Sequence, residues 1–289
     1  MRTALAAVEA RSPDLAARAV EHLMFRTTRR AAPERERAVL ATGRPFGVHS
    51  RHGRLSAWRW GEGPVVVLAH GWNGRGSQLG ALVDPLVQRG FQVVTFDAPG
   101  HGASPGGSSG LPLFADALDA VVDAVRPPFD LVHAVVAHSM GGAATTYAMS
   151  RFRRTPSIHL EREVREAELP VRRFVFVAPP VDARDFIRSA SKMLEVGATT
   201  QDSVRRRVES RFGVPLEELH APTAARELHA PLLVIHDEDD REVPLACGRA
   251  LAAAWPGARL EITQGLGHGR ILWDAGVVRR IADFLGDPA

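Results

Sequence analysis

Among 289 residues there is one cysteine, one tyrosine and one lysine, at Cys247, Tyr147 and Lys192. A single cysteine excludes an internal disulfide and a cluster of thiolate metal ligands. Cys247 lies in a helical stretch that follows an apolar run, where a buried, inert thiol is expected. The scarcity of lysine reads as a compositional habit, because arginine supplies the positive charge and the formal net charge is only +3. The arginine runs at 151–154 and 205–207 are short and interleaved with Glu and Asp. They read as solvated faces, so no nucleic-acid partner is expected. Neither G-x-x-x-x-G-K-[ST] nor H-E-x-x-H occurs, and no cofactor or metal is expected. No run approaches the ~18 apolar residues of a membrane span. Glu9 and Arg11 interrupt the apolar N-terminal stretch, which removes the pattern of an export signal and implies a cytoplasmic location. No internal repeat or low-complexity tract is present.

What is present is an alternation of two textures. Residues 1–45 form a helical arm with apolar Leu15, Val20, Leu23 and Phe25 and arginines between them, a pattern that packs on a domain. Residues 46–50 and 55–60 alternate around His52-Gly53, as in an antiparallel hairpin. Five short apolar runs follow, at 65–69, 91–96, 132–137, 174–178 and 232–236, separated by helical stretches. Unbroken Val, Leu and Ile runs suit strands buried on both faces of a parallel sheet. A last strand is expected at 259–263 and a helix at 273–285. The fold class is therefore α/β, with a mainly parallel central sheet of about eight strands and flanking helices. Residues 182–229 break the alternation with helical segments alone, which is the length and position of a lid. The expected division is an arm at 1–45, a core at 46–181 and 230–289, and a lid at 182–229. The charged stretch 155–170 reads as a surface helix.

The segment VVAHSMGGAA at 135–144 carries the chemistry. An apolar strand ends at Ala137, Ser139 follows, and small residues open a helix. A nucleophile at the apex of a strand-to-helix turn takes a strained backbone, so its neighbours must be small. The usual pattern is G-x-S-x-G, and Ala137 replaces the first glycine while keeping the position small. A serine hydroxyl needs a base, and the base needs an orienting acid. His268 follows the last strand, and the acidic turn 237–240 follows the strand ending at His236. Ser139, the acidic turn and His268 all fall just past strand carboxyl ends, where open α/β sheets place their sites.

Over residues 46–286 the chain resembles an α/β-hydrolase. The motifs are HGW at 70–72, FDAPGHGAS at 96–104, AHSMGG at 137–142, and the aspartate turn followed by GLGH at 265–268. The resemblance implies Ser139 as nucleophile and His268 as general base and acid. The family's turn H-G-x-x-D-x-x-V-P aligns with 236–244 and selects Asp240 as the acid, with Asp237 in the place of its glycine. Asp237, Asp239 and Asp182 are the alternatives, and Asp182 is also placed to cap the first helix of the lid. An oxyanion needs two preorganised donors. The resemblance assigns these to the backbone N–H groups of Met140 and Trp72. Asp97 and His101 read as turn-fixing residues, and His138 as a packed or hydrogen-bonded residue rather than a second base.

Within this family the nucleophile sorts the chemistry. Dehalogenases and epoxide hydrolases carry an aspartate at the elbow, and Tyr147 lies outside the lid where epoxide hydrolases hold their tyrosines. Acyl transfer to water remains, and the expected activity is a carboxylesterase acting on small or medium acyl esters. Phe186, Ile187, Met193 and Leu194 of the lid suit an apolar acyl group. Thioester, lactone and amide hydrolysis share the same acyl-enzyme logic, and Glu195 or Glu209 is available to hold a substrate amine. A reading from a different class is a non-catalytic relative that only binds a ligand.

Overall fold

The computed structural model describes residues 2–127, 130–154 and 169–286. Three helices lead the chain: α1 (Arg2–Arg11), α2 (Pro13–Phe25) and α3 (Glu34–Thr42). The hairpin β1 (Arg44–Ser50) and β2 (Gly53–Trp60) comes next. Then follow β3 (Val65–Ala69), α4 (Val83–Gln88), β4 (Gln92–Phe96), α5 (Leu111–Val125), β5 (Val132–His138), α6 (Met140–Arg154) and β6 (Val171–Val177). The insertion holds α7 (Ala183–Leu194), α8 (Ala198–Phe212) and α9 (Ala221–Ala225). The chain closes with β7 (Leu232–Asp237), α10 (Leu245–Ala254), β8 (Arg259–Thr263), α11 (Gly267–Arg270) and α12 (Ala275–Gly286). Residues 155–168 of the expected surface helix lie outside the described residues.

The eight strands form one sheet in the order β1-β2-β4-β3-β5-β6-β7-β8. The hairpin is antiparallel and joins β4 antiparallel, and every other pairing is parallel. Side chains alternate across the central strands. Val65, Val67, Val135, Phe174, Phe176 and Val234 enter the core beneath α5, α6 and the insertion. Val66, Leu68, Val136, Val175, Leu233 and Ile235 enter the core beneath α4 and α12. Both faces are covered, and this explains why these strands read as unbroken apolar runs.

The chain winds from β3 to β4 on one side and returns past β3 to β5 on the other. The two connections diverge at the carboxyl ends of β3 and β5, which leaves a crevice there. Among the described residues of 182–229 there are helices and no β-strand, and these helices stand over that crevice. Asp182 caps α7, its carboxylate accepting the Arg184 N–H at 2.9 Å and pairing with the Arg184 guanidinium. In the arm, Val20 and Phe25 are buried, whereas Leu15 and Leu23 face solvent. The arm's buried side rests on α8 and α7 rather than on the sheet alone. Among the described residues no helix is long and apolar enough to cross a membrane.

Candidate active site

Ser139 sits between β5 and α6 with φ at +52°, in the left-handed region where a side chain is strained. The strain is held by its surroundings. The Ser139 N–H donates to the Val177 carbonyl at 2.8 Å, and the Ser139 carbonyl accepts from the Gly142 N–H at 2.9 Å. Glycines are needed beside it for close approach. A Cβ on Gly71 would lie 2.9 Å from the Ser139 Cβ, and one on Gly141 would lie 2.7 Å from the His70 carbonyl oxygen. Ala137, in contrast, points its methyl into the apolar core and is fully buried there. Alanine therefore substitutes for the usual glycine without a clash.

Asp240 and His268 come together from separate loops. The His268 Nδ1 is 2.7 Å from Asp240 Oδ2, and the other oxygen, Oδ1, accepts from the N–H groups of Glu242 at 2.8 Å and Val243 at 2.9 Å. Burial pushes the Asp240 pKa up, but the His268 hydrogen bond and the two N–H donors outweigh it and hold the carboxyl below its usual range. In a neutral imidazole, donation from Nδ1 to Asp240 places the ring's lone pair on Nε2.

The alternatives to Asp240 are occupied elsewhere. Asp182 is tied to Arg184. Asp237 joins the acid turn to the loop that carries His268. Its Oδ1 accepts from the N–H groups of Asp239 and Gly267, and its Oδ2 from the Thr263 hydroxyl and the Leu266 N–H, at 2.7–3.1 Å. Burial works against ionisation, yet these donors, led by the Gly267 N–H, keep the carboxyl below its ordinary range. Asp239 accepts from the Gly265 N–H at 2.9 Å. The aspartate that replaces glycine in the turn is thus a brace, a role that the departure from H-G-x-x-D could have signalled.

His138, beside Ser139, is packed as expected. Its Nε2 donates to the His268 carbonyl at 3.0 Å, and the two rings lie 4.6 Å apart. Burial, aided by the neighbouring His268, lowers its pKa to about 3, so it stays neutral.

The loop after β3 is held by two further histidines. His70 Nδ1 donates to the Gly71 carbonyl at 2.7 Å, and its Nε2 accepts from the Ala98 N–H at 3.0 Å. His101 Nδ1 donates to the Pro99 carbonyl, and its Nε2 accepts from the Asn73 N–H, both at 3.0 Å. Burial lowers the two pKa values to about 4 and about 3. Asp97 accepts from the N–H groups of Gly76 and Ala103, so Asp97 and His101 fix the turn as their motif suggested. The bracing role of His70 and Asn73 had no separate signal in the sequence, because a histidine in HGW looks the same whatever it bonds.

Ser139, Met140, Trp72 and His268 all border one apolar cavity of about 630 Å³. Met140 opens α6, where the first N–H groups have no acceptor within the helix. Phe186 and Ile187 line the cavity, whereas Met193 is exposed. Cys247, expected to be buried, is half-buried in α10 and borders the cavity, and burial pushes its thiol pKa up. Glu195 pairs with Arg2, and Glu209 pairs with Arg205, so both proposed amine-binding carboxylates are engaged at the surface or in α8.

Fold and crevice together are those of an α/β-hydrolase, and the chain belongs to the alpha/beta hydrolase family, whose profile matches residues 66–280. Among curated proteins it is 29% identical over 258 residues to the pimeloyl-[acyl-carrier protein] methyl ester esterase of Chromobacterium violaceum, covering 78% of this chain and 95% of that one. It is 28% identical to the 2-hydroxy-6-oxononadienedioate/2-hydroxy-6-oxononatrienedioate hydrolase of Cupriavidus pinatubonensis, covering 77% and 87%. Among solved structures, an esterase of Pyrococcus furiosus superposes with a TM-score of 0.64 at 17% identity, covering 90% of this chain and 98% of that one.

Proposed function

We propose that the chain is a serine hydrolase that cleaves carboxylic esters of small or medium acyl chains. The carrying observation is the 2.7 Å hydrogen bond from His268 Nδ1 to buried Asp240, on the same cavity as a strained Ser139. In this reading the Ser139 Oγ attacks the acyl carbonyl carbon as His268 Nε2 takes its proton. Asp240 holds the imidazole in the needed tautomer and stabilises the imidazolium. The oxyanion is met by the backbone N–H groups of Met140 and Trp72. Collapse of the tetrahedral intermediate expels the alcohol, which takes the proton from His268. Water then attacks the acyl carbonyl carbon as the same nitrogen takes its proton. Collapse of the second tetrahedral intermediate breaks the Ser139 Oγ–acyl bond, releasing the acid while Oγ takes the proton back from His268.

Residues 182–229 act as a lid over a core of 46–181 and 230–289, with 1–45 as an arm. The apolar lining favours an uncharged acyl group, and the name of the Chromobacterium relative supports an ester over an amide. Glu195 and Glu209, the two carboxylates considered for holding a substrate amine, are paired with Arg2 and Arg205 and do not line the cavity, which weighs against that use of them. A relative that only binds a ligand would have no need of a strained serine on the same cavity as a paired histidine.

The test is hydrolysis of p-nitrophenyl butyrate together with fluorophosphonate labelling. The wild type should turn over the ester and take the label on Ser139. Ser139→Ala should lose the label and about 10⁴-fold or more in kcat. Equal activity in both proteins would remove Ser139 from the reaction.

A further inference from the structure

The cavity beside Ser139 is not walled by the hydrolase core and its helical insertion alone. Phe25, the last residue of α2, forms part of the lining, although it lies well upstream of the residues that match the family profile. The wall here is a chain of ring contacts. Trp72, on the loop after β3, meets Phe186 of α7 edge-on with centroids 6.0 Å apart. Phe186 meets Phe25 at 6.3 Å, and Phe25 meets the edge of Phe212 of α8 at 5.0 Å. In this chain of contacts Phe186 stands between Trp72 and Phe25, and all four rings line the cavity that an acyl group would enter.

The ring of Phe25 is also held in place. It is 6% exposed, and its carbonyl accepts from the Ser109 N–H at 2.9 Å. One turn earlier in α2, buried Glu21 accepts from Arg207 at 2.8 Å and from Arg211 at 3.1 Å, both on α8. The Arg211 guanidinium covers the Phe25 ring at 5.3 Å and donates to the Ser108 hydroxyl at 2.6 Å. Just beyond α2, the Thr28 N–H donates to Asn73 Oδ1 at 2.8 Å, and Asn73 is the residue next to Trp72. The arm thus touches α8, the cavity and the oxyanion loop within a few residues. A rigid aromatic ring on a helix end fixed from several sides cannot move aside for a longer ligand as a methionine would.

We infer that Phe25 is a specificity-determining residue, an aromatic stop supplied by the N-terminal arm that limits the length of acyl chain the cavity accepts. The inference rests on the acyl-hydrolase reading above and names the substrate feature that the arm selects. A purely structural Phe25 would affect all substrates alike, whereas a stop affects them according to length.

The experiment compares wild type, Phe25→Ala, Phe25→Leu and Phe25→Trp on p-nitrophenyl esters from butyrate to dodecanoate. The decanoate-to-butyrate ratio of kcat/KM should rise about tenfold or more in Phe25→Ala, rise less in Phe25→Leu and fall in Phe25→Trp, since small changes of fit in an apolar pocket give at least that discrimination. Phe25→Leu keeps the test decisive if the alanine variant fails to fold. Ratios that match wild type in folded Leu and Trp variants overturn the inference while leaving the esterase reading intact. If the wild type cleaves no ester, that reading falls, and the stop is judged by calorimetric binding of butanoate, octanoate and dodecanoate. A chain-length limit that moves with residue 25 then supports it, and one that does not move overturns it.

Discussion

The two halves of the candidate site are held by opposite kinds of chemistry. On the Ser139 side, close glycine packing and neutral histidines predominate, with Asp97 accepting from the N–H groups of Gly76 and Ala103 in the turn. Gly71 and Gly141 allow the β3 loop and α6 to touch, and His70, His101 and His138 each bond through one or both ring nitrogens without carrying charge. On the His268 side, ionised carboxylates gather backbone N–H groups. Asp240 takes two of them as well as the His268 ring, and Asp237 takes three and a hydroxyl. The first half is sensitive to volume and to acid, and the second to loss of charge.

The largest expected effect is on the charged half. Asp240→Asn keeps the shape of the acid but offers its amide to Nδ1 in place of a carboxylate, which favours the wrong imidazole tautomer. A loss of about 10⁴-fold in kcat is expected by analogy with triads in general, with little change in folding. Asp182→Asn should leave kcat within a few-fold, because Asp182 serves the start of α7 and Arg184. If the two variants exchange these outcomes, the acid belongs after β6 and the charged half has been drawn around the wrong residue.

A smaller effect is expected from volume on the other half. Gly71→Ala adds one methyl group 2.9 Å from the Ser139 Cβ, and the backbone of the elbow must give way. A displacement near 1 Å at a reacting group can cost about 10²-fold, so kcat for p-nitrophenyl butyrate should fall by that order while the protein stays folded. An alanine at the equally small position Gly269, where an added Cβ meets nothing within 4 Å, provides the control. Equal losses in both variants would show that the loops tolerate or resist change alike, and the contrast between the halves would fail.

The same contrast explains what could be read in the sequence. The parallel sheet was legible because both of its faces are covered, which forces continuous apolar runs such as 65–69 and 132–137. The elbow was legible because steric need restricts residue type at particular positions: Gly71 and Gly141 leave no room for a Cβ, and Ala137 is small and buried. The candidate acid was less so. Four aspartates follow strand ends, at 182, 237, 239 and 240, and each could accept a hydrogen bond from a histidine. Which one does so depends on the register of one turn, and the family pattern rather than any local signal selected Asp240. The contribution of the arm was not legible at all. Phe25 is one apolar residue among several in an amphipathic helix, and Leu15 and Leu23, which look equivalent in sequence, face solvent.

The smallest expected effect is a pH dependence of stability, and it separates the halves by the pH window in which each titrates, since both lose stability as pH falls. In the unfolded chain an imidazole titrates near 6.5. In the fold, burial keeps His70 neutral down to about 4, and His101 and His138 neutral down to about 3. Between those values and 6.5 the unfolded chain binds more protons, so stability is full above about pH 7 and is lost progressively as pH falls. Each such histidine contributes a slope of about 1.4 kcal/mol per pH unit in that window. Asp119, whose pKa burial raises to about 6, and Asp97, which burial also raises, bind a proton more readily in the fold and oppose the slope, whereas His236 beside Asp240, lowered by burial, adds to it. Asp237 and Asp240, held below the usual carboxylate range, lose their stabilising contribution only at lower pH still. Urea unfolding of the wild type at pH 7.5, 6.5 and 5.5 should therefore show a steady fall in stability. His101→Gln should be less stable at pH 7.5 but show a slope reduced by about one proton. An unchanged slope in that variant would mean that His101 is not held neutral, and that the half of the site around Ser139 is not, after all, the acid-sensitive one.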